Sequence, residues 1–170
     1  MTAKVIKPVQ SIYDQDSEFT YRARTTVFLG GSIEMGKAEM WQDRVIDQFK
    51  DVRVIFMNPR RDDWDSSWTQ SPSYGTQFNQ QVKWELEMQD LADIHVYYFA
   101  KDTMSPITLL ELGVYGGRNP KSTVVYVDPE YARRANVIMT CTHLGIACTG
   151  EYEQFTDILH KKIDEKHNNR

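Results

Sequence analysis

A parallel α/β fold, with helices on both faces of a sheet of four to five strands, is what the sequence predicts, and two observations predict it. Four short runs of β-branched and apolar residues, 25–31, 51–57, 93–99 and 121–127, read as strands buried on both faces. Segments with helical spacing of apolar residues separate them. Right-handed crossovers then leave the strand order 2-1-3-4, with room for a fifth strand, as the simplest arrangement, which is the flavodoxin-like or Rossmann-like pattern.

Residues 1–24 mix Pro8 with charged and aromatic side chains and show no sustained period, so they read as an extended N-terminal arm with a short strand near Val5 and Ile6. The first run ends in Gly30 and Gly31, as a central strand does before a loop whose backbone approaches something closely. Met40, Trp41, Val45, Ile46 and Phe49 then recur at helical spacing within 37–50, giving the first crossover helix. From Asn58 to about Gly75 the chain is polar and aromatic-rich without a period. Loops this long commonly carry function, and Trp64 and Trp68 argue against disorder, so a pinned surface loop and a substrate cover are equal readings. Residues 78–92 form a helix with Val82, Trp84, Leu86, Met88 and Leu91 on more than one side, which suits contact with the sheet and with a second subunit. His95 alternates with core residues and reads as a hydrogen-bonded packing residue rather than a base. Ser105 and Pro106 start a helix that reaches Gly117, Ser105 by capping free N–H groups and Pro106 by its preset φ. A short element follows the fourth run at about 131–140. Phe155, Ile158, Leu159 and Ile163 mark an amphipathic closing helix over 152–166.

With 170 residues and 41% hydrophobic content, the chain can bury one sizeable core, so a single domain over residues 25–170 is expected. Its net charge is −4 and its Lys and Arg are scattered, which argues against duplex nucleic acid and anionic membrane surfaces as partners. No apolar run approaches the roughly 20 residues that span a bilayer. The segment from Met1 to Pro8 lacks the apolar core of a signal peptide, and a cytoplasmic protein is expected. Cys141 and Cys148 flank His143 without a fourth soft ligand, so they read as reduced, partly buried thiols and no metal or other cofactor is implied.

Glu111 is unusual in this frame, because it stands among Leu109, Leu110, Leu112 and Val114. A carboxylate buried alone costs several kcal/mol, roughly, so such a residue is paired, protonated or lining a cleft. Open α/β sheets bind ligands at the carboxyl ends of their strands, and Gly30, Gly31 and Ser32 end strand 1 as Thr103, Met104 and Ser105 follow strand 3. A carboxylate there serves as base, metal ligand or nucleophile. No second acidic residue lies one turn from Glu111, which ranks a metal low. A nucleophile needs an electrophilic carbon with a protonatable leaving group, such as the anomeric carbon of a sugar, and Glu85 is the best second carboxylate.

The Gly30, Gly31, Ser32, Ile33 turn, the stretch from Trp84 to Asp93, and Ser105 placed six residues before Glu111 together resemble the nucleoside 2-deoxyribosyltransferase superfamily. That superfamily includes nucleoside deoxyribosyltransferases and 2'-deoxynucleoside 5'-monophosphate N-hydrolases. The resemblance runs from about Thr25 to Asn136, and the stretches starting at Asn58 and Ser105 are similar in particular to a deoxyribosyltransferase-like branch. It implies cleavage of the N-glycosidic bond of a nucleoside or nucleotide through a glycosyl intermediate on Glu111, with transfer to another base or to water. Glu85 matches an active-site Asp, implying a general acid or sugar-positioning role. Ser32 and Ser105 match serines that contact a 5'-phosphate, and Asn136 matches an Asn that crosses the interface of a homo-oligomer to a neighbour's substrate. Gly30, Gly31, Phe28, Arg60 and Trp64 complete the expected substrate-binding set.

Two positions depart from the family pattern. Phe28 replaces a Tyr whose hydroxyl contacts the nucleophile, so the orientation and ionisation of Glu111 must be managed otherwise. Glu34 stands near where the hydrolase branch has a basic residue, and its charge would repel a phosphate. Arg60 and Arg61 in the loop could compensate for that charge, but they sit beside Asp62, Asp63 and Asp65, a grouping that reads rather as surface pairing. These departures permit an alternative function, a nucleotide-binding or sensing module with weak chemistry. A glycosidase acting on a dinucleotide is a third reading, although the sequence has neither a Gly-x-Gly-x-x-Gly cradle nor a P-loop.

Overall fold

The computed structural model of the chain describes residues 2–13, 23–33, 38–62 and 67–169. Among these residues, six strands form one parallel sheet: β1 (Lys4–Ile6), β2 (Thr25–Gly31), β3 (Val54–Met57), β4 (Ile94–Phe99), β5 (Thr123–Val127) and β6 (Ala147–Thr149), in the order β1-β3-β2-β4-β5-β6. The four central strands keep the expected 2-1-3-4 order. Six strands exceed the expected four to five, because β1 adds to one edge and β6, a three-residue strand with no readable period, adds to the other. Part of the N-terminal arm thus belongs to the sheet, Lys4 pairing with Ile55 and Ile6 with Met57.

Among the described residues, five α-helices flank the sheet: α1 (Trp41–Gln48), α2 (Gln77–Leu91), α3 (Pro106–Glu111), α4 (Arg134–Leu144) and α5 (Tyr152–Asn168). Strand side chains alternate between faces, and that alternation sorts the core. Val27, Leu29, Val96 and Tyr98 pack with Trp41 and Val45 of α1 and with Phe155, Leu159 and Ile163 of α5. On the other face, Phe28, Ile55 and Met57 meet Trp84 and Met88 of α2. Beside them, Tyr97 and Phe99 meet Leu112 and Tyr115 after α3, and Val137 and Cys141 of α4. Burying each such large apolar side chain contributes about 1.5–3 kcal/mol.

The two glycines lie inside β2 and make room for the protein's own rings. A Cβ on Gly30 would sit 2.8 Å from two ring carbons of Tyr97, and one on Gly31 would sit 2.5 Å from Trp41 Cζ2. The expected long helix after β4 also differs. Its α geometry ends at Glu111, and Leu112–Gly116 continues as a π turn. Ser105 makes no capping bond with its side chain; it adopts a left-handed conformation, φ 47°, and turns its hydroxyl to Ser32.

Candidate functional site

The site is built from α2 upward. Thr76 caps the helix, its hydroxyl accepting from the Asn79 N–H at 3.1 Å. Gln81, Glu85 and Gln89 then recur every four residues, so they share a helix face with Trp84 and Met88. Both glutamines are buried there and Glu85 is partly buried. Gln81 Nε2 donates to Glu85 Oε1 at 2.7 Å and to the Pro59 carbonyl at 3.0 Å. Gln89 Nε2 donates to Glu111 Oε1 at 2.9 Å, and its own Oε1 accepts from the Tyr97 hydroxyl at 2.7 Å. Each carboxyl therefore receives an amide donor from the same helix.

Glu111 is partly buried at the junction between α3 and the π turn, a kind of helix irregularity that recurs at functional sites. Burial raises its carboxyl to about 8; the charge of Glu85 pushes the same way and the Gln89 donor opposes. Burial raises Glu85 to about 7, with the Gln81 donor opposing. Repulsion between the two is mutual, so it falls on whichever ionises second, and they titrate as a pair. Both carboxyls are thus pushed up toward neutral pH, and the steps in which they lose their protons belong to the pair.

A family model described as nucleoside 2-deoxyribosyltransferase like matches residues 24–131. The chain belongs to this family. The match contains Glu85 and Glu111 and stops before Asn136. Comparison with curated proteins finds no match.

The other positions marked by the family resemblance are placed variously. Phe28 is buried, and its ring edge would lie 3.1 Å from a Cβ on Gly30, which puts it on the face shared by Tyr97. Ser32, Thr103 and Ser105 form a buried knot of hydroxyls: Ser32 Oγ is 2.6 Å from Ser105 Oγ and 2.9 Å from Thr103 Oγ1, and the latter two are 3.0 Å apart. Ser32 Oγ also accepts from the Ala100 N–H at 3.0 Å, and Thr103 donates to the Ala100 carbonyl at 2.8 Å, so the knot ties the end of β2 to the turn after β4. Asp63 and Asp65 of the expected surface pairing lie outside the described residues, and Arg60 is not at the surface as expected. It is buried, donates to the carbonyls of Glu39 and Ala38 at 2.8 and 2.9 Å, and so braces the segment before α1. Arg61 lies over the ring of Trp68 at 4.9 Å, while Asp62 pairs with Lys7. Asn136 is exposed on α4. Glu34 and Trp64 lie outside the described residues.

His95 is buried as a packing residue, Nε2 bonded at 2.8 Å to the Gln89 carbonyl and its ring stacked near Tyr97 and Tyr115. Gln81, Gln89 and Tyr97 were not singled out from the sequence. Their signal was present, since glutamines four residues either side of Glu85 fall in the helix arc that Trp84 and Met88 mark as buried. Among the described residues, no cluster of His, Cys, Asp and Glu suits a metal ion, and no helix is long and apolar enough to cross a membrane.

Proposed function

We propose that this deoxyribosyltransferase-like protein cleaves the N-glycosidic bond of a nucleoside or nucleotide with retention, through a glycosyl ester on Glu111. The observation that supports it best is the carboxyl pair itself. Glu85 and Glu111 interact, both are pushed toward neutral pH, and each is held by a glutamine amide. A retaining route requires one acid and one carboxylate; burial raises Glu111 further than Glu85, so the reactive form is the minority state of the pair in which the proton sits on Glu85 and Glu111 is ionised. Glu85 gives its proton to the departing base as the C1'–N bond breaks, and the bonding electrons leave with the base. Glu111 meanwhile forms the C1'–O bond. Water or a second base then attacks C1', the ester electrons return to Glu111, and Glu85 takes a proton from the attacking group.

Chromatography of free bases tests this, using a panel of nucleosides and 5'-monophosphates with and without an acceptor base. Glu111→Ala is expected to abolish base release, and undiminished release would refute the mechanism. Product identity separates transfer from hydrolysis in the same run. A second reading, a nucleotide-binding or sensing module of the same fold, draws support from Phe28, whose buried ring offers Glu111 no hydroxyl. Calorimetric binding without turnover across the panel favours that module.

The proposal includes a cytoplasmic homo-oligomer, a setting that suits the free thiols of Cys141 and Cys148. Met104, Ile107 and Leu110 around α3 and Met139 on α4 are large apolar side chains left exposed, with Asn136 three residues from Met139. A second copy covering them would bring Asn136 into a shared interface. Light scattering that gives a monomer mass would count against this part.

A further inference from the structure

We propose that Gln89, locked in place by the Tyr97 hydroxyl, positions Glu111 and favours its carboxylate form within the pair. The consequence for turnover rests on the glycosyl-transfer reading, whereas the geometry stands without it. Gln89 is 1% exposed on α2 and Tyr97 is 0% exposed on β4, so neither amide nor phenol has water as an alternative partner. A glutamine amide can present either its oxygen or its nitrogen to a neighbour, and the surrounding donors decide which. Burial holds the Tyr97 proton in place by raising its pKa, and that hydroxyl donates to Gln89 Oε1 at 2.7 Å. The amide nitrogen is left facing Glu111 Oε1 at 2.9 Å. Reversing the amide would set its oxygen against the carboxylate oxygen, a contact with no proton to share. Glu111 thus meets a fixed donor, and a fixed donor favours the charged acceptor.

The main chain of Gln89 is fixed as well. Its carbonyl lies in the last turn of α2, where no helical partner remains, and His95 Nε2 bonds it at 2.8 Å. Tyr97 is seated by the sheet: it pairs in register with Gly30, and the missing Cβ there lets the ring lie across β2. Phe28, two residues earlier on β2, supplies no hydroxyl, so the phenol that steadies Glu111 comes from the neighbouring strand through one amide. Glu85 from α2, Tyr97 from β4 and Tyr115 from the π turn are the titratable groups that act with Glu111, and Asp90 and Arg118 act on Tyr115. Of these contacts, the Gln89 hydrogen bond is the one that favours the Glu111 carboxylate.

The test is a titration of Glu111 itself, by carboxyl infrared difference spectra with Glu111→Gln identifying its band, in Gln89→Met, Tyr97→Phe and the double variant. Gln89→Met is expected to raise the Glu111 pKa by about one pH unit, as loss of a hydrogen bond to a charged group does. Tyr97→Phe is expected to raise it less, and to add nothing once Gln89 is Met. In turnover the acid limb of kcat moves up by the same amount, an approximately tenfold loss on that limb with KM little changed. Wild-type titration in both single variants, or a Tyr97→Phe effect that persists undiminished beside Gln89→Met, would overturn the proposal. If Gln89→Met does not fold, Tyr97→Phe alone decides by the same titration. A shifted titration in a protein that releases no base would sink the glycosyl reading and leave the positioning role standing.

Discussion

Replacing Glu111 by glutamine should make the protein more stable at alkaline pH and leave acid stability nearly unchanged. The carboxyl titrates at about 8 in the folded chain against 4.5 for an ordinary glutamate. A folded pKa above the unfolded one means that the native state holds the proton more tightly. The stability contributed by that proton is complete below pH 4.5 and is lost as pH rises through 8. At about 1.4 kcal/mol per pH unit, the difference between the limits is on the order of 4–5 kcal/mol. Water penetration and relaxation around the ionised group reduce it, and roughly 2 kcal/mol is the effect to look for. In a chain of this length, about 2–4 °C of Tm accompanies each kcal/mol, so Glu111→Gln should melt roughly 4–8 °C above wild type at pH 9. The amide oxygen can still accept from Gln89, and titrations of groups that do not act with Glu111, His95 included, are common to both proteins and cancel, whereas relief of the Glu85 repulsion is part of the difference. Thermal melts followed by circular dichroism at pH 4.5 and pH 9 give the comparison. An equal Tm difference at both pH values, or a less stable variant at pH 9, would show that Glu111 is not a strained acid.

Two further substitutions separate the faces of the sheet. Gly30→Ala forces a Cβ to within 2.8 Å of Tyr97 ring carbons, so it should cost about 1–3 kcal/mol as a shifted urea midpoint at constant slope, and displace the Glu111 titration with it. Tyr98→Phe, one residue further along β4 on the opposite face, removes a 2.8 Å bond to Glu39 and should cost about 1 kcal/mol while base release stays at the wild-type rate.

The central sheet was readable because its strands are uninterrupted apolar runs, and short right-handed crossovers leave few ways to order them. β6 was not, since Ala147, Cys148 and Thr149 give no period and gain their strand geometry only by pairing with β5. Glu111 stood out as a carboxylate among leucines. Gln89 did not: its place in the helix arc of Trp84 and Met88 signals burial, but which groups its amide meets depends on where Tyr97 and Glu111 sit in space. Arg60 is a related case: its acidic neighbours in sequence suggested a surface position, but it is buried and donates to main-chain carbonyls about twenty residues earlier. Contacts between distant segments decide such polar residues, and composition carries little trace of them.

The costs to stability gather in one short segment. Asp102 and Ser105 both have left-handed backbone, φ 57° and 47°, in the turn between β4 and α3, and the π turn follows directly after Glu111. Non-glycine residues in that conformation cost on the order of 1 kcal/mol or more each, and such strain persists only where surrounding contacts enforce it. Here the enforcing contacts are the hydroxyl knot, which anchors Ser105 to Ser32 and Thr103, and the Gln89 bond, which holds the far end of α3 at Glu111. α3 is six residues long, too short to hold its own orientation as an isolated helix. Its two ends are therefore fixed by side chains from the residue just after β2 and from α2, and the direction in which Glu111 points is set by those anchors more than by the helix that carries it.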